Sequence, residues 1–249
     1  RASQRGFALK EIKPSYWSDT AFREQITTEV EIHKSLVHPH ILRCWESFDG
    51  PDTVFLVLEL ADSGDLYRYM REAKALPEPE AARLFSEVAS GVHHLHEQGV
   101  MHRDLKPENI LLHGAGRRAK IADFGWCARA AEKQSGECGS PAYFAPEMVD
   151  GLKYDGRVDI WALGILLYEM LVGHSPFSSA LTEKETRQRI SRMDFGLGAW
   201  STVPGTAQPL VRLLLRREPE ERPPLPEALA DAWLASHVPG AAREAADGS

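Results

Sequence analysis

Three polar side chains within eight residues have the types that phosphate chemistry requires. Asp104, Lys106 and Asn109 lie in the stretch 102–109, between short apolar runs and therefore in a loop, where catalytic groups commonly lie. Asp104 could accept the proton of an attacking hydroxyl, Lys106 could neutralise charge on a moving phosphate, and Asn109 could offer an oxygen to Mg²⁺. We therefore predict phosphoryl transfer, with a polar surface turn as the alternative interpretation.

A second acidic motif follows downstream. Asp123-Phe124-Gly125 begins 14 residues after Asn109, at the end of an apolar run. We predict Asp123 as the main Mg²⁺ ligand, beside Asn109, because a hard cation that bridges phosphates prefers carboxylate oxygen. Ala145-Pro146-Glu147 then closes the segment. These three motifs, in this order, resemble those of the eukaryotic protein kinases, and the resemblance covers nearly the whole chain.

The resemblance implies an α+β, bilobal protein kinase-like fold. A small antiparallel β-sheet lobe with one helix is expected over residues 1–60, a hinge over 61–63, a larger and mainly α-helical lobe over 64–237, and a flexible tail over 238–249. The hydrophobic patterns predict strands at 6–12, 41–48 and 53–60 and a first helix at 20–36. Further helices are predicted near 65–71, 78–98, 158–172, 183–192, 209–216 and 225–236.

The resemblance also implies ATP and Mg²⁺ as cofactors. Lys10, in Phe7-Ala8-Leu9-Lys10, looks like the lysine that holds the α- and β-phosphates. Its partner should be a helix glutamate, for which Glu29 and Glu31 are both candidates and Glu29 is favoured. Leu58 resembles the gatekeeper beside the adenine. The other expected adenine contacts are the backbone of Glu59 and Ala61 and the side chains of Ala8 and Leu111.

Two structural anchors are implied in the large lobe. Asp159 resembles the buried aspartate that braces the catalytic loop. Glu147 and Arg222 resemble the ion pair between the end of the activation segment and a late helix. A buried pair of this kind fixes geometry more surely than it adds stability.

The acceptor is expected to be a serine or threonine hydroxyl of a protein. Lys106 and Glu108 in the catalytic loop, and Ser140, resemble serine/threonine kinases; Ser140 is expected to hydrogen-bond near Asp104 and Lys106. Asp65, Glu108 and Glu169 match positions that receive arginines, so a basic residue two or three places before the acceptor is expected. Alternatively, Asp65 is a helix cap and Glu108 an ordinary loop acid.

Several short stretches are similar to the Aurora kinases, with the polo-like and autophagy-initiating kinases next. They are Trp126, the stretches 28–32 and 38–43, and Cys138-Gly139. This resemblance implies a cell-division role and an activating protein partner that binds the small lobe.

Regulation is expected to act on the activation segment. Arg103 usually pairs with a phosphate on that segment. Where Aurora-like kinases carry a threonine, this sequence has Gly136. The predicted phosphorylation site is therefore Ser135; alternatively, Glu137 or Glu132 supplies a permanent negative charge.

The main departure from the family is the glycine-rich loop that should precede Lys10. Only Gly6 is present, and we expect the loop to be left out of this sequence rather than lacking from the protein. The rival function is a pseudokinase, a scaffold module that binds nucleotide or partners without catalysis. The intact set of Lys10, Asp104, Asn109 and Asp123 argues against it. A small-molecule kinase of related fold is disfavoured by the closing motif at 145–147.

Composition excludes other classes. The chain has 249 residues with 29 Lys+Arg and 36 Asp+Glu, a net charge of −7, which argues against nucleic-acid binding and a polybasic membrane anchor. The longest apolar run, 160–172, contains Glu169 and is shorter than the ~20 residues of a membrane helix. No signal peptide is recognised, and three scattered cysteines favour a reducing compartment, cytoplasmic or nuclear. His93, His94 and His96 lack ligand-spaced partners, so no zinc site is predicted.

Overall fold

The structure is a computed structural model that describes residues 6–13, 20–50, 53–130 and 134–238, with the backbone alone for 20–25. The small lobe is an antiparallel sheet of β1 (Phe7–Ile12), β2 (Cys44–Asp49) and β3 (Val54–Glu59), in the order β1-β3-β2. Every second residue of β3 is buried, as expected for a strand with one face in a core. Helix α1 (Thr20–Ser35) lies against this sheet.

The chain passes to the large lobe near Gly64. Ser63 N–H donates to the Leu112 carbonyl (3.0 Å) and Leu112 N–H to the Gly64 carbonyl (2.8 Å), so the connection is hydrogen-bonded to the large lobe. Short antiparallel pairs follow: β4 (Val100–Met101) with β7 (Ala128–Arg129), and β5 (Ile110–His113) with β6 (Arg118–Ile121). The loops that carry the catalytic motifs lie between these strands. The predicted lobe boundaries at 60 and 64 stay predictions.

The large lobe is built on two long helices, α3 (Glu78–Glu97) and α5 (Arg157–Val172). Nearly all of α5 is buried, so its sequence is apolar on every side rather than striped. It ends at Gly173 (φ 89°), where a Cβ would lie 2.3 Å from the Lys74 carbonyl oxygen. The remaining helices are α2 (Leu66–Ala73), α4 (Pro146–Val149), α6 (Glu183–Ser191), α7 (Gln208–Leu214), α8 (Leu225–Leu229) and α9 (Ala232–His237).

Three sequence predictions need correction. The helix predicted at 225–236 is two helices, because the Asp231 side chain accepts a hydrogen bond from Trp233 N–H (2.8 Å) and so begins α9. The strand predicted from residue 41 begins at Cys44, and Ile41 forms only an isolated bridge with Ile121. Val238, placed in the predicted tail, packs against the core, whereas 239–249 lie outside the described residues.

No helix in the described ranges has both the length and the apolar character that crossing a bilayer would require.

A buried ion pair joins the end of the activation segment to the start of the last helical region. The Arg222 guanidinium donates to both carboxylate oxygens of Glu147, at 2.6 and 2.7 Å. It also donates to three backbone carbonyls, so every direction of the guanidinium fork is used. Arg222 is 4% and Glu147 5% exposed, so loss of either charge leaves the other buried without compensation.

We predict that Glu147→Gln lowers the free energy of unfolding by about 3 kcal/mol or more, because it leaves a buried guanidinium without its counter-charge. Urea denaturation measures the change. The matched control is Arg68→Gln, which removes the exposed Arg68–Glu72 pair and should cost less than about 1 kcal/mol. An equal loss of unfolding free energy in the two variants would contradict the larger contribution assigned to the buried Glu147–Arg222 pair.

Candidate active site

The catalytic loop is fixed by one buried carboxylate. Asp159, in the first turn of α5, accepts hydrogen bonds from the backbone N–H of His102 (2.9 Å) and of Arg103 (2.8 Å). The His96 ring contributes a third contact at 2.9 Å. Burial opposes ionisation of Asp159, but the hydrogen bond and charge of His96 lower its pKa below the usual value. The sequence-predicted brace is therefore in contact with the loop, and Arg103 has a left-handed φ of 67° where the backbone turns towards it.

Asp104 follows this turn and is 3% exposed. Its Oδ2 lies 2.9 Å from Lys106 Nζ and 3.0 Å from Asn109 Nδ2. Its Oδ1 is buried and accepts no hydrogen bond from any described residue. One carboxylate oxygen is thus held in place, while the other has no hydrogen bond among the described residues and keeps its capacity to accept a proton, as a general base requires.

The activation segment passes directly over Asp104. A Cβ at Gly139 would lie 2.8 Å from Asp104 Oδ1 and 2.6 Å from the Arg103 carbonyl oxygen, and Gly139 has a φ of 90°. Only glycine fits this approach. The next residue, Ser140, accepts a hydrogen bond from Lys106 Nζ at 2.7 Å, which places it where the sequence predicted.

Lys10 bridges the two lobes. Its Nζ lies 3.3 Å from Glu29 Oε1 and 3.0 Å from Asp123 Oδ1. Burial lowers the pKa of Lys10, but the charges of Glu29 and Asp123 outweigh burial and raise it. Burial would likewise raise the pKa of Asp123, and Lys10 reverses this to a lowered value. Of the two candidate glutamates the structure selects Glu29, whereas Glu31 is exposed.

The donor set around Asp123 fits Mg²⁺. The Asn109 amide nitrogen donates to the Asp104 carbonyl (2.8 Å) and to Asp104 Oδ2, so its amide oxygen is the atom left for a cation. Asp123 is half-exposed and presents carboxylate oxygen. Magnesium needs few protein ligands when phosphates supply the others. In the described ranges no three His, Cys, Asp or Glu side chains group as a metal cluster.

The predicted adenine contacts lie together in the cleft between the lobes. Ala8, Ala61 and Leu111 pack against a small buried cluster that includes Leu58. The Glu59 N–H donates to the Arg43 carbonyl (2.8 Å), so only the Glu59 carbonyl can contact a base. The Glu59 side chain pairs with Lys120 of β6 at 2.8 Å.

The sequence analysis missed two groups of residues in this cleft. Ala122 belongs to the same small cluster, and its only sequence signal is its position directly before Asp123. The Phe124 ring is fully buried between two histidine rings, with centroids 4.3 Å from His33 and 5.4 Å from His102. His33 lies one helical turn after Glu29, so this stack fixes α1 relative to the Asp123 motif.

The predicted substrate acids differ in position. Asp65 Oδ1 caps α2 by accepting a hydrogen bond from Arg68 N–H (2.7 Å), as the alternative interpretation had it. Glu108 is exposed, and its charge is among those that act on Glu169. Glu169 accepts a hydrogen bond from the Tyr143 hydroxyl. Burial raises the pKa of Glu169 above the usual value; the hydrogen bond from Tyr143 lowers this pKa, and the charge of Glu108 raises it further.

The structure shows no ion pair between Arg103 and the predicted regulatory residues Ser135 and Glu137. The Arg103 guanidinium donates to the Trp126 carbonyl (2.6 Å) and to the Tyr154 hydroxyl (3.5 Å). Ser135 is exposed. Glu137 pairs with Arg187 of α6 rather than with Arg103, which corrects the alternative in which Glu137 replaces a phosphate there. Glu132 lies outside the described residues.

The comparisons with known proteins agree with this geometry. The protein kinase domain family matches residues 1–234. An Aurora kinase of Schizosaccharomyces pombe is 35% identical over 243 residues, which cover 97% of this chain and 68% of the relative. Aurora kinase C of Mus musculus is 38% identical over 92% of this chain and 82% of its own length. Aurora kinase A-A of Xenopus laevis is 37% identical over 94% of this chain and 57% of its own length.

The chain therefore belongs to the protein kinase domain family. Within that family it belongs with the Aurora kinases, and it is an ATP- and Mg²⁺-dependent serine/threonine protein kinase. The predicted kinase family and the predicted fold class are confirmed, and the pseudokinase alternative is not favoured.

We predict that acidification loosens the stack around Phe124. Burial lowers the pKa of His33 to about 4, from 6.5, and its Nε2 contacts the Leu42 carbonyl at 2.7 Å. The folded state therefore resists protonation that the unfolded chain accepts below pH 6.5. Because His33 stays neutral in the folded state, its titration should lower the free energy of unfolding by roughly 3 kcal/mol as pH falls from about 7 to 4.

The variant His33→Gln provides the comparison, because its amide can donate to the same carbonyl and does not titrate. Urea denaturation across this pH range should give a steeper loss of stability for the wild type than for His33→Gln. Parallel curves would contradict the assignment of the pH dependence to His33.

Proposed function

We propose that the kinase phosphorylates serine or threonine hydroxyls of protein segments that carry arginine or lysine two or three residues before the acceptor. The observation that carries this proposal is the Asp104 carboxylate, whose Oδ1 has no hydrogen-bond partner in the part of the chain that the structure describes, with Lys106 and Ser140 beside it. A role in cell division is proposed on the similarity to the Aurora kinases.

The proposed reaction uses the described side chains as follows. The acceptor hydroxyl gives its proton to Asp104 as its oxygen bonds to the γ-phosphorus and the bond to the departing ADP breaks. Lys106, held by Asp104 and Ser140, stabilises charge on the transferred group. Lys10 positions the α- and β-phosphates. Asp123 and Asn109 are the residues that would hold Mg²⁺, which would supply charge neutralisation at the phosphates.

The basic-residue preference is supported by Glu169 and Glu108. The negative charge of Glu108 raises the pKa of Glu169, so the two carboxylates lie close enough to attract one cationic side chain together, and arginine can pair with a carboxylate through two hydrogen bonds. The Tyr143 hydroxyl orients Glu169 and also ties it to the activation segment. Asp65 is already used as a cap, so it is the weaker candidate of the three.

We predict two separable losses of activity. With Mg²⁺-ATP and a serine peptide, Asp104→Asn should lower kcat by about 10²-fold or more, while ATP binding is retained. Glu169→Gln should raise KM about tenfold for a peptide with arginine before the serine, because a charge-assisted hydrogen bond is lost. The glutamine still accepts from Tyr143, so the surrounding structure is retained.

The control is the same peptide with alanine in place of arginine, whose KM should not change in Glu169→Gln. For the wild type, KM of the arginine peptide should rise as pH falls through the raised pKa of Glu169, since the neutral acid attracts arginine less. Equal wild-type KM values for the two peptides would exclude the basic preference. Phosphotransfer by Asp104→Asn at the wild-type rate would exclude the catalytic assignment.

We also propose that an activating protein partner binds the small lobe between α1 and the strands β2 and β3. A groove of about 540 Å³ lies there, with an apolar floor that includes Ile26, Val30 and Val54. Because α1 also carries Glu29, a ligand in this groove would act directly on the ion pair with Lys10. Aromatic side chains fit an apolar floor of this size.

The groove is tested by a library of short peptides that contain aromatic residues, screened for an increase in kcat. We predict that Thr27→Arg, which fills the mouth of the groove, abolishes the increase and leaves the unstimulated kcat unchanged. The control Leu9→Arg lies on an exposed strand position outside the groove and should keep the increase. An increase that survives Thr27→Arg would place the partner elsewhere.

Two further assignments remain proposals. A phosphate on exposed Ser135 is proposed as the partner of Arg103, which has only uncharged acceptors among the described residues. A cytoplasmic or nuclear location is proposed because Cys44, Cys127 and Cys138 are all free thiols.

A further inference from the structure

An ion pair ties the activation segment to helix α6. Glu137 lies between the exposed Ser135 and the close approach at Gly139. Its carboxylate accepts hydrogen bonds from Arg187 Nε at 3.1 and 2.9 Å, and Arg187 Nη2 lies 2.8 Å from Glu137 Oε2. Such a two-point contact fixes the direction of both side chains and not only their distance.

Arg187 also contacts the other end of the same stretch. Its guanidinium lies 5.9 Å from the centre of the Phe144 ring, and Phe144 is buried. Its remaining partner is Glu183, one turn earlier on α6, at 3.2 Å. A single side chain of α6 thus contacts residues 137 and 144 of the activation segment.

The residues between these two contacts meet the acceptor site. Gly139 lies against Asp104, Ser140 accepts from Lys106, and Tyr143 donates to Glu169. Any shift of the stretch 137–144 would therefore move the catalytic base, the catalytic lysine and the proposed arginine-binding acid relative to the bound peptide. The predicted ATP contacts Ala8, Leu58 and Lys10 belong to the small lobe and lie outside this stretch.

The start of the segment is held at Tyr154. Gln134 and Tyr154 exchange two backbone hydrogen bonds of 2.9 Å, and Arg103 reaches the Tyr154 hydroxyl. The negative charge next to the predicted phosphorylation site is directed away from Arg103, towards α6. The Glu137 carboxylate therefore does not take the place of a phosphate at Arg103.

We propose that the Glu137–Arg187 ion pair is a positioning device that holds the peptide-binding stretch 137–144 in its productive place without phosphorylation. This inference rests on the proposed function, because it assigns the two residues to peptide binding in the same site. The pair is about one-third exposed on both sides, so it contributes little to global stability. Its effect is local, on the alignment of a few backbone residues.

The test uses phosphatase-treated protein, so that no phosphate on the segment can substitute for the pair. Glu137→Gln and Arg187→Gln should each raise KM for the serine peptide at least fivefold. KM for ATP and the melting temperature should stay at wild-type values. The matched control is Glu183→Gln, which removes the other partner of Arg187 and should leave the peptide KM within twofold of wild type.

A charge swap separates positioning from simple loss of a side chain. Glu137→Arg combined with Arg187→Glu, made in the Glu183→Gln background so that the reversed charge does not face Glu183, should restore the peptide KM to within threefold of wild type. Single variants with a wild-type peptide KM would overturn the proposal, as would a folded swap variant that remains as impaired as the single ones.

Amide hydrogen exchange of residues 134–144 gives a readout that does not require catalysis. Protection there should fall in Glu137→Gln and Arg187→Gln and return in the swap. If the wild type transfers no phosphate to any protein or peptide, the proposed function fails, and this exchange measurement still decides the positioning. Unchanged protection in both single variants would refute it.

Discussion

The active site depends on a carboxylate that takes no part in the chemistry. Asp159 is buried at the start of α5 and accepts the N–H groups of two consecutive catalytic-loop residues. A short loop would otherwise have to satisfy these donors with water or with its own carbonyls. Since α5 is almost wholly buried, the Asp159 carboxylate is held by the core, and its hydrogen bonds fix the catalytic loop in turn. Asp104 is placed by the backbone, so it needs only one oxygen for its own support.

Electrostatics and packing together join the two lobes at the reaction centre. From the small lobe, Lys10 contacts the Asp123 carboxylate, and Glu29 of α1 aligns Lys10. The aromatic stack of His33, Phe124 and His102 supports the same alignment from behind. A displacement of α1 would disturb both at once, which is why the groove between α1 and the strands β2 and β3 is a suitable place for regulation.

The sequence was most informative where one residue type is chemically required. Asp104, Asn109 and Asp123 could be named because cation binding and proton transfer admit few side chains. The choice between Glu29 and Glu31 needed the structure, because both lie on a helix and only its rotation decides which faces Lys10. Asp65 and Asp231 both cap helices, and the sequence alone does not distinguish an acidic residue that begins a helix from one that binds a ligand. Glu137 was singled out for its charge as a substitute for a phosphate, yet its partner Arg187 lies 50 residues away and no local sequence pattern predicts this pairing.

The Glu59–Lys120 contact limits how the two lobes can move. Glu59 ends the last strand of the small lobe, and Lys120 lies on β6 of the large lobe, so their mostly buried ion pair links the lobes next to the connecting segment. Rotation that widens the cleft for nucleotide exchange must pivot close to this link or break it. A pivot here leaves the adenine end of the cleft nearly constant in width and gives the largest excursion at the phosphate end, so that ADP would depart phosphates first.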